Sequence, residues 1–129
     1  LQGALESVPG VTTVCDSFAP PNLGEKDFPV VLFSVGGMVA TKQGGAKAGE
    51  VVGTMELYHF TVALAGPAAT RDLMEATYTA LHRTRLRAAG WADVQLQCMR
   101  RGAVEQAGKG DDEMLLQVDT YEIRAVPLT

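Results

Sequence analysis

The sequence predicts an α+β fold: one antiparallel or mixed β-sheet of about five strands, with two helices on one face, in the order α-β-β-β-α-β-β. Three observations predict it. Thr54–Leu64 alternates with the period of two that marks an extended chain. It runs through Gly66 and Pro67 straight into Leu73, Met74, Thr77, Ala80, Leu81 and Thr84, spaced as on an amphipathic helix. On either side of this unit lie apolar runs separated by polar, glycine-rich connections, as in sheet hairpins.

The strand-to-helix unit, Thr54–Ala89, organises the chain. Tyr58, Phe60, Val62 and Leu64 share one strand face, and Leu57, His59, Thr61 and Ala63 share the other, which is smaller and more polar. The larger face is therefore expected to be the core, beneath Leu73, Thr77 and Leu81 and beside Val31, Phe33, Leu96 and Ile123. Gly66 or Thr70 suits the helix N-cap, Pro67 its first turn, and Asp72 the positive end of its dipole. Arg83, Arg85 and Arg87 suit the negative end, and Gly90 the stop.

Before this unit, Leu1, Ala4, Leu5 and Val8 keep helical spacing until Pro9-Gly10, so Leu1–Val8 reads as the last turns of a helix. Val11–Cys15 is rich in β-branched residues and forms a short strand. Asp16–Asp27, with Pro20, Pro21, Asn22 and Gly24, is a loop. Val30–Val35 is almost continuously apolar, a strand covered on both faces. Gly36–Gly53 carries six glycines and reads as a flexible arm, either a loose hairpin end or a segment that orders against another protein.

After the unit come a strand at Trp91–Arg101, a polar loop at Gly102–Glu113 and a long strand at Met114–Val126. Apolar residues in this last strand change phase, from Met114, Leu116 and Val118 to Tyr121, Ile123 and Ala125. Such a change implies a bulge near Asp119–Thr120 or a switch in which face is covered.

The 129 residues make one domain, with a net charge of −4, 47% hydrophobic and 20% charged residues. The negative balance argues against affinity built on coating DNA phosphates. No apolar run approaches the ~20 residues of a membrane-spanning helix, and nothing at the start reads as a signal peptide. The chain begins at Leu1 rather than Met. Cys15 and Cys98 lie far apart with no CxxC spacing, which favours buried free thiols over a disulfide.

Catalytic patterns are missing. Ser17 and Ser34 lack G-x-S-x-G surroundings, and no phosphate-binding glycine motif occurs. His59 and His82 have no local ligand spacing for a metal. Arg83, Arg85, Arg87, Arg100 and Arg101 lack interleaved aromatics for base stacking. Neither an enzyme nor a cofactor is expected.

Two groups of residues stand out as candidate subunit contacts. Uncharged, moderately polar sheet faces often meet another subunit, which selects His59, Thr61, Gln95, Gln97 and Gln117. The arm contributes Met38, Val39, Lys42, Lys47, Glu50 and Val51.

The layout resembles the tail terminator (tail completion) proteins of long-tailed bacteriophages and related gene transfer agents. The resemblance spans nearly the whole chain: LESVPG before VTTVC, a Pro-containing loop before FPVVLFSV, a glycine-rich excursion, then MELYHFTVALAG feeding ATRDLMEATYTALHRTRL and a closing hairpin. It implies a structural virion protein made in the host cytoplasm, forming a ring, commonly hexameric, at the head–tail junction. It implies three partners: other copies of itself, the tail tube protein, and a neck or head-completion protein. DNA would pass only in transit through the lumen, which Asp111, Asp112 and Glu113 are candidates to line, and no membrane is involved. The alternatives are another neck or minor tail component, or a small α+β ligand-binding or enzymatic domain with a pocket between helix and sheet.

Overall fold

The computed structural model describes residues 1–16, 28–40, 50–62, 66–86, 90–107 and 114–127. Within them the chain runs α1 (Gln2–Glu6), β1 (Thr13–Asp16), β2 (Val30–Ala40), β3 (Val51–Val62), α2 (Pro67–Leu81), β4 (Thr84–Leu86), β5 (Trp91–Arg101), β6 (Glu105–Ala107) and β7 (Met114–Pro127). The strands form one mixed sheet in the order β1-β2-β3-β7-β5-β4, with β6 also paired to β7. Only the β1–β2 pair is parallel.

This corrects the expected α+β fold with about five strands and two helices on one face. Among the described residues there are seven strands, and strand dominates the chain. Nor do the helices form a layer. α2 alone lies across β3, β7 and β5, while the five-residue α1 sits at β1 and touches α2.

The two unforeseen strands have local causes. The expected helix continues to Ala89, but α2 stops at Leu81 because Arg83 turns left-handed, with φ 58°. Its N–H then donates to Leu96 O at 2.8 Å, which starts β4 along β5. Thr84, expected on the helix, instead donates its hydroxyl to Ala80 O at 2.9 Å and closes the last turn. β6 lies in the expected loop Gly102–Glu113. It follows a close approach at Gly102, where a Cβ would meet Val118 O at 2.3 Å. Gly66, at φ 84°, is the N-cap and Pro67 follows it at the start of α2.

The core consists of Leu5, Val31, Phe33, Met55, Leu57, Leu73, Leu81, Leu96, Tyr121 and Ile123. The expected neighbours Val31, Phe33, Leu73, Leu81, Leu96 and Ile123 are in it, and Thr77 is fully buried beside them. Tyr58, Phe60 and Val62 are only half-buried, and Leu64 lies outside the described residues. The faces of β3 are thus reversed: Met55, Leu57, His59 and Thr61 point under α2.

Hydrogen bonding explains the reversal. His59 Nε2 lies 2.6 Å from Thr77 Oγ1, and Thr61 and Thr70 share a hydroxyl bond at 2.6 Å. Buried polar groups are tolerated where they are paired, so the smaller face can carry the helix.

The phase change in β7 is a switch of covered face. Its register with β3 runs unbroken from Met114 to Ala125. The irregularity lies on β5, between Cys98 and Arg100, so no bulge occurs in β7 against β3. Tyr121, Ile123 and Ala125 are buried with the core, whereas Leu116 and Val118 pair with Phe60 and Tyr58 on the opposite face.

Candidate assembly surface

Cross-strand register fixes what shares the sheet face away from α2. Leu32, Tyr58 and Val118 form one row, and Val30, Phe60 and Leu116 the next. Val30 is sealed, and the other five are half-buried. The Tyr58 and Phe60 rings stack at 6.4 Å, and the Tyr58 hydroxyl donates to the Glu56 carboxylate. That bond to Glu56, followed by partial burial, pushes the Tyr58 phenol above its ordinary range.

Farther along the strands the same face turns polar. Arg83, Arg85, Gln95, Gln97, Glu122 and Arg124 line an open depression of about 220 Å³. Arg124 bridges Glu122 at 2.8 Å and Glu50 at 3.3 Å. Arg85 stands 3.9 Å from Asp93, with its side chain 74% exposed. Gln95 Nε2 donates to Asp93 Oδ2 at 3.1 Å. One face therefore has an apolar half and a charged half.

The structure separates the residues expected to act together. Gln95 and Gln97 lie on this open face, Gln97 exposed and Gln95 half-buried. His59, Thr61 and Gln117 are buried beneath α2, at 0%, 2% and 2% exposure, so within the chain they are packing residues. Glu50 and Val51 are half-buried at the start of β3. Met38 and Val39 lie within β2, where Val39 pairs with Val52, so the described ends of the expected arm are sheet strand. Lys42, Lys47, Asp111, Asp112 and Glu113 lie outside the described residues.

Sequence reading missed the apolar half of this face, because its alternation looked like a core. It also missed that Arg83, Arg85 and Arg124 converge. The signal was present in the spacing of Arg83 and Arg85, which share a face only if the segment is extended.

Both histidines are engaged in contacts within the fold. The His59 ring is buried, and burial holds its pKa below the ordinary 6.5, opposed by the bond to Gln117 O and the charge of Asp119. His82 Nδ1 accepts the Cys98 N–H at 3.0 Å, and its ring stacks on Tyr78 at 4.6 Å. Arg101 covers the Tyr78 ring at 4.3 Å and pairs with Glu75 at 2.6 Å. Cys15 and Cys98 are free thiols, both pushed up chiefly by burial. Among the described residues, no group of three or more His, Cys, Asp or Glu is placed to hold a metal, and no helix is long and apolar enough to cross a membrane.

No family model matches the chain, and no curated protein matches it. A chain from the "Virion of native gene transfer agent (GTA) particle" is similar to it with a TM-score of 0.60. The two are 20% identical, over 94% of this chain and 83% of that one. At that identity the likeness is one of fold.

Proposed function

We propose that this chain is a structural virion protein, and within that class a tail terminator: a homo-oligomeric ring, hexameric by resemblance, that caps the tail tube and joins it to the capsid neck. The observation that carries this reading is the likeness to a gene transfer agent virion chain across 94% of the sequence. The half-exposed apolar rows of Leu32, Tyr58, Phe60, Leu116 and Val118 support it, since assembly offers them cover. A net charge of −4 suits a passage that lets DNA through without gripping it. In this reading the chain catalyses nothing and binds no cofactor; its partners are further copies of itself, the tube protein and a neck protein. Its place is the head–tail junction of the particle.

The same likeness supports another neck or minor tail component, because a virion neighbour does not by itself fix a position in the particle. Deletion of the gene, followed by electron microscopy of the particles, separates the two. A terminator's loss gives tails of uncontrolled length without heads. Normal-length tails that merely fail to join heads indicate a neck component, and normal joined particles overturn both.

A further inference from the structure

Resting on the ring reading, the geometry points to how the ring closes: the open edge of β2 in one copy pairs, in parallel, with β4 of the next copy. β1 covers β2 only from Val30 to Phe33. Beyond that, Ser34–Ala40 has β3 on one side and, among the described residues, no strand on the other. At the far end of the sheet, the three-residue β4 pairs, among the described residues, on one side only, with β5.

Unpaired strand edges present rows of free N–H and C=O groups, and proteins usually guard them with charges or proline. Ser34–Ala40 reads SVGGMVA, with neither. Val35 is 43% exposed, and a Cβ on Gly36 would meet nothing within 4 Å. Among the described residues the edge is unguarded, and main-chain pairing is what it offers.

Three relationships identify the occupant as a second copy. The first is level. Ala40 pairs with Val51, Val51 with Ala125, Ala125 with Val94, and Val94 with Leu86. The adjacent row runs Val39, Val52, Arg124, Gln95 and Arg85. Both open edges therefore lie at the same height of the sheet, and rotation alone brings one to the other. Contacts related by rotation without translation close into rings, whereas a shift along the axis gives a filament.

Direction is the second. β2, β7 and β4 run one way while β3 and β5 run the other. A rotation axis along the strands then sets β2 beside β4 in parallel. The third is face. Each row joins residues on one side of the sheet, so pairing at this level keeps the open faces of neighbours continuous. Every copy carries one edge of each kind, and closure pairs the three residues of β4 with the stretch of β2 at their level.

Charge reversal at the junction tests this. Gly36 and Arg85 stand on the open face, one at each edge, and both tolerate change, since Gly36 adjoins open space and the Arg85 side chain is 74% exposed. Wild-type full-length protein, at rising concentration, is expected to form a closed multimer by analytical ultracentrifugation and native mass spectrometry. Gly36→Lys sets a cation against Arg83 and Arg85 of the neighbour, and is expected to raise the concentration needed for closure at least roughly tenfold. Adding Arg85→Glu to Gly36→Lys is expected to restore it, and Gly36→Glu alone to lower it. Circular dichroism confirms that each variant is folded.

Wild-type rings with no response to either substitution overturn the β2–β4 junction and leave the virion reading standing. Rings weakened equally by Gly36→Lys and Gly36→Glu, without rescue, also overturn it. A wild-type chain that stays monomeric at millimolar concentration overturns it too. The deletion phenotype tests the virion reading separately.

Discussion

His59 Nε2 lies 2.6 Å from Thr77 Oγ1, deep between β3 and α2, and Nδ1 of the same ring lies 3.0 Å from Gln117 O. With the ring neutral, Nδ1–H donates to the carbonyl and Nε2 accepts the Thr77 hydroxyl proton. That hydroxyl is also 2.9 Å from Met74 O, so one proton serves two acceptors.

The pH dependence of folding follows. Burial holds the His59 pKa below 6.5 in the folded chain, so the unfolded chain binds more protons in acid. The stability His59 allows is therefore full above pH 6.5 and falls as pH drops below that value. Urea titrations at pH 7.5 and 5.5 are expected to show a loss at the lower pH that His59→Gln diminishes. Thr77→Val strips the ring of its hydroxyl partner and should cost about 1–3 kcal/mol at pH 7.5.

Leu57 and Phe60 test the assignment of faces. Leu57 is fully buried, so Leu57→Ala is expected to cost about 2–5 kcal/mol in a denaturant titration. Phe60 is half-exposed, and Phe60→Ala is expected to cost clearly less. A larger loss at Phe60 would restore the order of faces that alternation alone suggests.

Gly102→Ala places a Cβ 2.3 Å from the Val118 carbonyl oxygen, which is backbone and has no rotamer in which to retreat. The expected loss is about 1–3 kcal/mol. Amide exchange should rise most in β6 and the facing residues of β7.

Arg83 holds φ at 58° without being glycine. Arg83→Gly is expected to leave stability unchanged or raise it by up to about 1 kcal/mol, since glycine takes this conformation without steric cost. A loss above ~1 kcal/mol would mean that the guanidinium contributes to the fold through the depression it lines.

Much of this architecture is legible in the sequence. The β3–Gly66–α2 unit, the strand at Val30, and the strands at Trp91 and Met114 follow from periodicity and turn residues. What misled is chemistry rather than pattern. A face bearing His59, Thr61 and Gln117 reads as polar until Thr70 and Thr77 arrive from the helix to pair with it, and those partners are not local. β4 was hidden because Thr84 keeps helical spacing; only the left-handed turn at Arg83 breaks the helix. The candidate surface is half legible: Gln95 and Gln97 lie on it, but alternation places its Tyr58 and Phe60 in the core.

The hydroxyl pair of Thr61 and Thr70 has a mechanical consequence. A helix laid on methyl groups can slip along a sheet at little cost, because dispersion has no preferred direction. α2 is instead fastened to β3 at two points, Thr70 with Thr61 and Thr77 with His59, each at 2.6 Å. Hydrogen bonds hold only over a narrow range of distance and angle, so sliding the helix breaks both fastenings together. Shear along the strands is therefore passed between β3 and α2 with one fixed alignment, as in a riveted joint.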